Sequence, residues 1–260
     1  MKVFIVFAHP EPKSFNGSFL KGTVEHLEKN GHEVRVSDLY KDQFKSIVDE
    51  KDFLNFQEGE RLKLFAQSAK AFKEGKLTED VYKEQANLEW ADLVIFQFPI
   101  WWFSMPAILK GWFERVYSSG FGYSVGVHNS TRYGDRFGEG KMQGKKAILA
   151  VTLGGSESQY GPRGINGPID DLLYPVTRGM LHYIGFSVLP SHYTFTTDRS
   201  SEKDFDDSLN SFLNKLDNVD TIKPIAYRKQ NFGDYVYPSL ELKEGLEQPN
   251  ETGFAMHIAK

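Results

Sequence analysis

The sequence predicts a doubly wound α/β fold with a parallel sheet of five strands. Three short apolar runs are rich in β-branched and aromatic residues and do not alternate with polar ones, as expected for strands buried on both faces. Helical patterns separate these runs, and the chain opens with a strand–helix–strand unit, which favours parallel strands with helices on both faces. The predicted strands are residues 3–8, 33–37, 93–98, 147–152 and 186–189.

Apolar residues at spacings of three and four predict the helices of the first half. The first helix runs from Phe15 to Leu27, and Asn30-Gly31 favours its end. Another begins after Thr78, where two acidic residues complement the helix dipole. The clearest pattern follows the third strand, at Met105, Ile108, Leu109, Trp112, Phe113 and Val116.

The second half contains two further helical patterns. Asn166 is a candidate N-cap for a helix with Pro168 in its first turn and a kink at Pro175. Residues 118–144 show no periodicity, and a loop of that length is usually functional. No firm element is predicted after residue 220. A last amphipathic helix is marked by Phe205, Leu209, Phe212, Leu213 and Leu216.

Composition restricts the classes of function. The 31 basic and 35 acidic residues give a net charge of −4, which argues against a dedicated nucleic-acid binder with a basic face. The absence of cysteine excludes disulfides and thiolate metal sites. The apolar stretch at residues 3–8 is too short for a signal peptide, and the run at 93–103 is about half a membrane span. We therefore expect a cytoplasmic protein without membrane insertion.

Ligands of doubly wound sheets bind beyond the carboxyl ends of the strands, so the loops after strands one, three and four are the candidate site. The first loop leads into a helix N-terminus, where free N–H groups favour an anion. His9, Ser14 and Asn16 could add side-chain donors, although Ser14 or Asn16 could equally cap the helix. No GxGxxG or GxxxxGK[ST] motif is present, which argues against a Rossmann dehydrogenase or a P-loop NTPase.

The loop after the third strand carries three consecutive aromatic residues, Trp101, Trp102 and Phe103. Pro99 and Pro106 restrict the backbone on either side, and the rings could stack on a planar ligand. The alternative is that the rings belong to the core or to a subunit interface. That alternative is weaker for three neighbours, because adjacent side chains of an extended segment point to opposite sides.

The loop after the fourth strand contains Gly154-Gly155, which allows a ligand to approach the backbone but also suits an ordinary turn. Tyr160 follows, and its neutral phenol can donate a hydrogen bond at pH 7. Together the three loops suit a ligand with a phosphate, a flat polar edge and a flat face. A flavin nucleotide has all three.

At these loops the sequence resembles the flavin-dependent NAD(P)H:quinone oxidoreductases, or DT-diaphorases, of the flavodoxin-like fold, and is closest in type to their bacterial members. The matching segments, between residue 1 and about residue 217, are AHPEPKSFN, KEGKL, ADLVIFQFPIWWFSMPAILKGWFERV, VTLGGS and GI-NG at 164–167. The resemblance implies a catalytic domain over residues 1–219 and a tail, 220–260, that packs on the domain or on a dimer partner.

The resemblance also implies a homodimeric oxidoreductase. Hydride would pass from NAD(P)H to bound FAD, with FMN as the alternative, and two electrons would then pass to a quinone or a similar flat acceptor. Phosphate and ribityl contacts would come from His9, Ser14, Phe15 and Asn16. Contacts to the isoalloxazine would come from Pro99, Ile100, Trp101, Trp102, Phe103, Thr152, Leu153, Gly154 and Gly155. The substrate pocket, shared between two subunits, would be lined by Trp102, Phe103, Tyr123 and Tyr183.

The implied catalytic pair is Tyr160 and Asn166. Tyr160 would donate towards the flavin N1/O2 edge, where negative charge develops. Asn166 stands where many members of the family have a histidine, and it can donate a hydrogen bond but cannot titrate. A related branch also has this asparagine and uses unusual nicotinamide donors. The preference for NADH or NADPH as the electron donor therefore stays open.

Other positions also depart from the family pattern. The family's adenine-binding Gln and Arg have no match here, so FMN remains an alternative to FAD as the cofactor. Arg178 and His182 occupy positions of a His/His/Cys metal site, so no metal is predicted. The loop at 125–145 is longer than in the animal enzymes. Remaining alternatives are an azo- or nitro-reductase, a flavodoxin-type electron carrier, or a regulatory subunit of a transporter that docks through the tail.

Overall fold

In the computed structural model, which describes residues 1–260, strands and helices alternate along the chain. Short 3₁₀ and π-helical turns connect some of them. The elements are, in chain order, β1 (Lys2–Phe7), α1 (Phe15–Lys29), β2 (Glu33–Asp38), α2 (Leu64–Glu74), α3 (Glu79–Trp90), β3 (Leu93–Pro99), α4 (Ala107–Val116), β4 (His128–Asn129), β5 (Arg132–Tyr133), β6 (Lys146–Thr152), α5 (Ile169–Val176), β7 (Ser187–Val188), β8 (His192–Thr194), α6 (Glu202–Asp217), β9 (Tyr235–Val236) and β10 (Glu241–Leu242).

Five parallel strands form the central sheet. β1 pairs with β2 and β3, and β3 pairs with β6. β7 and β8 both pair with β6, so they form a single fifth strand that is interrupted at residues 189–191. The order β2-β1-β3-β6-β7/β8 is doubly wound and confirms the predicted fold class. Within this sheet, only β8 lies beyond the segments predicted to be strands; the short hairpins β4–β5 and β9–β10, outside the sheet, were not predicted either.

Alternate residues of each strand bury against opposite layers of helices, because successive side chains of a strand point to opposite faces. On one face, Phe96 packs in a cluster with Trp112 of α4 and Leu173 of α5. On the other face, Ile95 packs in a cluster with Phe212 of α6. This double burial explains the continuous apolar runs in the sequence. No helix in either layer is at once long and apolar enough to cross a lipid bilayer.

The start of α5 differs from the sequence-based prediction. The N-cap is Pro168 rather than Asn166, so the predicted cap is wrong. Gly167 has a left-handed φ of 76°, and a residue that precedes proline is disfavoured in helical conformation, so the chain turns between Asn166 and the helix. Pro175 lies inside α5, and a π-helical turn at Thr177–Leu181 follows it.

The polar segment at residues 41–63 is held by a buried arginine rather than by an apolar stripe. Arg115, whose side chain is 1% exposed, donates from Nε to Asp52 Oδ1 at 2.9 Å. Its Nη1 donates to Lys45 O at 2.9 Å and to Asp80 Oδ2 at 2.5 Å. The carboxylates compensate the buried guanidinium, so this network fixes the segment against α3 and α4.

The tail at residues 220–260 packs on the rest of its own chain. Tyr227 is buried, and its hydroxyl donates to Thr177 Oγ1 at 2.7 Å. The ring of Phe254 stacks on Tyr174 with centroids 4.0 Å apart. β9 and β10 form a short antiparallel hairpin within the tail. Aromatic packing onto α5 and the following turn therefore anchors the tail.

The tail also supports the long loop at residues 125–145. Gln230 Nε2 donates to Tyr133 O at 3.1 Å, and Asn231 Nδ2 donates to Gly134 O at 3.0 Å. Within the loop, β4 and β5 pair as a hairpin. Phe137 meets the ring of Tyr183 edge-on, at a centroid distance of 5.0 Å. The loop therefore lies against both the tail and the turn that follows α5.

Candidate active site

The loops after β1, β3 and β6 meet at one edge of the sheet and are joined by hydrogen bonds. Asn16 Nδ2 donates to Thr152 Oγ1 at 2.7 Å, which links α1 to the end of β6. Ile100 N donates to Thr152 O at 2.9 Å, which links the β3 loop to the same residue. These bonds fix the relative positions of three segments that are distant in sequence.

Gln97 is a site residue that the sequence reasoning missed. It lies near the end of β3, is 1% exposed, and its Nε2 donates to Asn16 O at 2.7 Å. Its Oε1 and the Oδ1 of Asn16 are buried and have no protein partner. A polar side chain inside an otherwise apolar strand was the available signal, because buried polar groups require hydrogen bonds.

The first loop presents a helix N-terminus to this edge. Ser14 is the N-cap of α1, and its Oγ accepts from Gly17 N at 3.1 Å and donates to Glu11 O at 2.7 Å. The backbone N–H groups of Phe15 and Asn16 have no partner. Free N–H groups at the positive end of a helix dipole form an anion site.

His9 is oriented by the same loop. Its Nδ1 accepts from Glu11 N at 3.1 Å and lies 2.9 Å from Ser14 Oγ. In a neutral imidazole the proton then lies on Nε2, which is free to donate. The ring centroid of His9 is 6.1 Å from that of Trp101, so the first loop contacts the second.

The aromatic loop after β3 is a tight, strained turn. Trp101 and Ser104 exchange backbone hydrogen bonds of 2.9 and 3.1 Å. The two residues between them, Trp102 and Phe103, have left-handed φ values of 50° and 62°. Such a turn normally uses asparagine and glycine, and bulky residues there carry strain. Strain of this kind is typical of functional positions.

This turn displays its side chains and its backbone outward. Trp102 is 95% exposed and Phe103 is 50% exposed, although the core-facing rings of α4 follow a few residues later. The N–H groups of Trp102 and Phe103 have no partner. The turn therefore offers both aromatic faces and two free donors at the edge of the sheet.

The loop after β6 contributes a third pair of free donors. Leu153 is buried, and its N–H donates to Thr194 O at 2.8 Å. The N–H groups of Gly154 and Gly155 have no partner. A Cβ at Gly155 would lie 2.9 Å from the ring of Tyr160, so the absence of a side chain allows that ring to approach.

Tyr160 and Asn166 lie on one folded-back loop. The Asn166 N–H donates to Gln159 O at 3.0 Å, which places Asn166 beside the residue that precedes Tyr160. A Cβ at Gly164 would lie 2.2 Å from that same carbonyl oxygen, so the loop closes only with glycine there. The Tyr160 ring packs 6.0 Å from Phe195, and its hydroxyl has no protein partner.

Tyr123 and Tyr183 lie together in a groove of about 270 Å³ that none of the three loops lines. Met180 and Tyr117 also contribute to its wall. Burial of its hydroxyl raises the pKa of Tyr117 well above the usual value, so that phenol stays neutral. Within one chain, therefore, this groove and the turn that carries Trp102 form separate surfaces.

A second groove runs beside the first loop and was not predicted from the sequence. Its volume is about 550 Å³. The rings of Phe15 and Phe205 form an edge-to-face pair in its wall, with centroids 5.0 Å apart. The full lining is Lys13, Phe15, Ser18, Thr197, Ser200, Ser201, Glu202, Phe205 and Asp206.

These features fit a flavin nucleotide. Each of the three loops presents backbone N–H groups without protein partners, among them those of Phe15, Asn16, Trp102, Phe103, Gly154 and Gly155. Beside them lie exposed aromatic rings and the buried, unpartnered acceptors of Asn16 and Gln97. A ligand with phosphate oxygens, a hydrogen-bonding ring edge and a flat face would satisfy such a set.

Comparison with known proteins agrees with this geometry. The family model described as "Flavodoxin-like fold" matches residues 1–219. The chain is 51% identical over 257 residues to the ribosyldihydronicotinamide dehydrogenase-like protein traD of Penicillium crustosum, covering 99% of this chain and 95% of that protein. It is 38% identical to NAD(P)H dehydrogenase [quinone] 1 of Cavia porcellus, covering 100% and 94%.

Solved structures give the same result. A candidate quinone reductase from Klebsiella pneumoniae superposes with a TM-score of 0.96 and 48% identity, over 100% of both chains. An NAD(P)H:quinone oxidoreductase from Methanothermobacter marburgensis gives a TM-score of 0.61 at 26% identity, over 85% of this chain and 97% of that one. The chain therefore belongs to the flavodoxin-like family and, within it, to the NAD(P)H and ribosyldihydronicotinamide dehydrogenases that reduce quinones.

Proposed function

We propose that this protein is an NAD(P)H dehydrogenase (quinone) that holds FAD across the three loops. The observation that carries the proposal is that all three loops present unpartnered backbone N–H groups and are joined through Asn16 and Thr152. When bound, the flavin supplies the redox chemistry, accepting hydride from NAD(P)H and passing two electrons to a quinone. The chain's own residues supply binding, orientation and electrostatics.

Phosphate binding is assigned to the first loop. The N–H groups of Phe15 and Asn16 and the Nε2 proton of His9 would donate to phosphate oxygens at the positive end of α1. The Ser14 hydroxyl is already engaged by Glu11 and Gly17, so Ser14 acts mainly by fixing the helix N-terminus. Thr152 and Gln97 hold Asn16 in place from the adjacent strands.

The flat ring system is assigned to the other two loops. The free N–H groups of Trp102, Phe103, Gly154 and Gly155 would donate to its polar edge, with Pro99 and Ile100 leading into the turn. Tyr160 would donate from its hydroxyl towards the N1/O2 edge, where a fixed donor stabilises developing negative charge. Asn166, which cannot titrate, would orient groups there without moving a proton.

The substrate pocket is assigned to two copies of the chain. Trp102 and Phe103 are exposed on one surface, whereas Tyr123 and Tyr183 line a separate groove. A homodimer that places the groove of one subunit over the aromatic turn of the other would bury all four rings around a flat acceptor. The resemblance to the quinone oxidoreductases supports this arrangement.

Native mass spectrometry should give a species of twice the 29.7 kDa chain carrying two FAD molecules. The groove beside Phe15 and Phe205 has room for the AMP half, and this supports FAD over FMN. Denaturation should release a flavin whose mass identifies it. Release of FMN would contradict the assignment of FAD. A colourless protein that takes up neither flavin would contradict the proposed function itself.

Tyr160→Phe should slow the reduction of bound flavin by NAD(P)H about tenfold, because one donor to the developing charge is removed. Flavin should stay bound, since the backbone donors are unchanged. Stopped-flow absorbance with each nicotinamide measures the rate. Tyr193→Phe is a suitable control, because it removes a phenol whose hydroxyl already donates to Asp170 at 2.6 Å. An unchanged rate in Tyr160→Phe would remove Tyr160 from its proposed role.

A further inference from the structure

A cavity of about 130 Å³ lies between the turn after α5 and the C-terminal tail. None of the three flavin loops contributes to it. Its position is defined by Arg178 on the turn and by the β9–β10 region of the tail. The residues that line it are Phe137, Arg178, Gln230, Tyr235, Leu240 and His257.

Arg178 is the cationic group of this cavity, and it has no acidic partner. Its Nη2 donates to the hydroxyl of Tyr235 at 2.9 Å, and its Nε is buried without any partner. The guanidinium lies 4.5 Å from the centre of the Phe137 ring and 5.8 Å from that of Tyr174. A guanidinium has five N–H donors, so most of its hydrogen-bonding capacity is unused here.

Among the other polar groups of the cavity, only His257 adds a free donor, and none adds a counter-charge; the Gln230 amide already donates to Tyr133 O and Asn231 Oδ1. Tyr235 accepts from Arg178, so its own proton is directed to His257 Nδ1 at 2.9 Å. Burial lowers the pKa of His257, and the charges of Arg178 and Arg228 lower it further. The neutral ring then carries its proton on Nε2. The carboxylate of Asp234, the residue before Tyr235, is paired with Arg228 at 2.9 Å.

We propose that this cavity binds a small oxyanion on Arg178. Sulfate, phosphate and a short carboxylate share the required chemistry, since planar N–H pairs of a guanidinium match two oxygens of one anion. The volume admits such an ion and is far below that needed for a nucleotide. Because Arg178 belongs to the domain and Tyr235 and His257 to the tail, the anion also ties the tail to the domain.

The test uses the protein as purified, in the oxidised state and without nicotinamide. Sodium sulfate, phosphate and acetate are titrated against sodium chloride at equal ionic strength, and binding is followed by calorimetry. The second readout is the rate at which a protease cuts the tail. We expect saturable binding of at least one oxyanion and slower cleavage of the tail when it is bound.

Arg178→Met should weaken this binding about tenfold or more, because charge-assisted hydrogen bonds are lost. Arg178→Lys, which keeps the charge but not the planar fork, should also weaken it. Lys223→Met removes one exposed charge from the same tail and should change nothing. The proposal is overturned if wild type shows no binding beyond chloride, or if either Arg178 variant binds as wild type does. Neither outcome depends on the identity of the flavin.

Discussion

Gly17→Ala is expected to weaken flavin binding at least tenfold and to destabilise the fold. A Cβ at this position would lie 2.1 Å from Pro12 O and 2.5 Å from Pro12 C. Both are backbone atoms, so the loop that carries His9 and Ser14 must move. The 3.1 Å cap bond from Gly17 N to Ser14 Oγ and the free donors of Phe15 and Asn16 would move with it. Each charge-assisted bond lost to a phosphate costs about 1.5–3 kcal/mol.

The net loss of stability should be about 1–2 kcal/mol. Overpacking costs roughly 1–3 kcal/mol, and the higher helix propensity of alanine returns up to about 1 kcal/mol. Flavin binding is measured by the flavin fluorescence released on dilution. Stability is measured by urea unfolding of the protein. Gly179→Ala is the control for the steric effect, because its added Cβ meets no atom of its own chain within 4 Å; stability should not fall and flavin binding should be unchanged in the single chain. Tight flavin binding by Gly17→Ala would contradict the phosphate site assigned to this loop.

Trp102→Gly is expected to reduce quinone turnover strongly while stability does not fall. Trp102 is 95% exposed, so its removal leaves no cavity in the core. Glycine relieves the left-handed φ of 50°, worth roughly 1–2 kcal/mol. The added freedom of the unfolded chain opposes this by about 0.4–1 kcal/mol. Stability should therefore not fall, and should rise by at most about 1.6 kcal/mol.

The loss of quinone turnover should come from the missing Trp102 ring and not from a change in the stability of the fold. Loss of one aromatic wall should lower kcat/KM for a quinone about tenfold or more, since stacking and burial of a flat acceptor are both reduced. Steady-state kinetics and thermal unfolding of the same samples separate the two properties. Trp102→Phe keeps a ring and the strained φ, so it should stay close to wild type in turnover. Full activity in Trp102→Gly would show that the ring does not line the substrate pocket.

The elements that the sequence predicts well are those whose burial is periodic. The strands around Phe96 are apolar throughout because both faces are covered, and Trp112 and Phe212 recur at helical spacing. The polar segment at residues 41–63 shows no such spacing, because Arg115 holds it through a partner 70 positions away. Hydrogen bonds between residues so far apart in the chain leave no periodic pattern in the sequence.

The start of α5 shows the same limit on a smaller scale. Asparagine is a residue type that often caps helices. Here, however, the left-handed φ of Gly167 and the fixed φ of Pro168 place the start of the helix after Asn166. Residue type alone did not distinguish a cap from a turn residue that precedes it. The dihedral angles of the neighbouring residues decided between them.

The pattern of the sequence predicts the sheet, the edge proposed to bind a ligand and the three loops that reach it, because parallel strands end together. Which hydrogen-bonding groups on those loops have no protein partner can be read only from the tertiary structure. The bond from Gln97 to Asn16 and the buried, unpartnered Nε of Arg178 both depend on atoms that are distant in sequence. Most buried polar groups find a hydrogen-bond partner somewhere in the fold. The few that do not can be identified only when the positions of all possible partners are known.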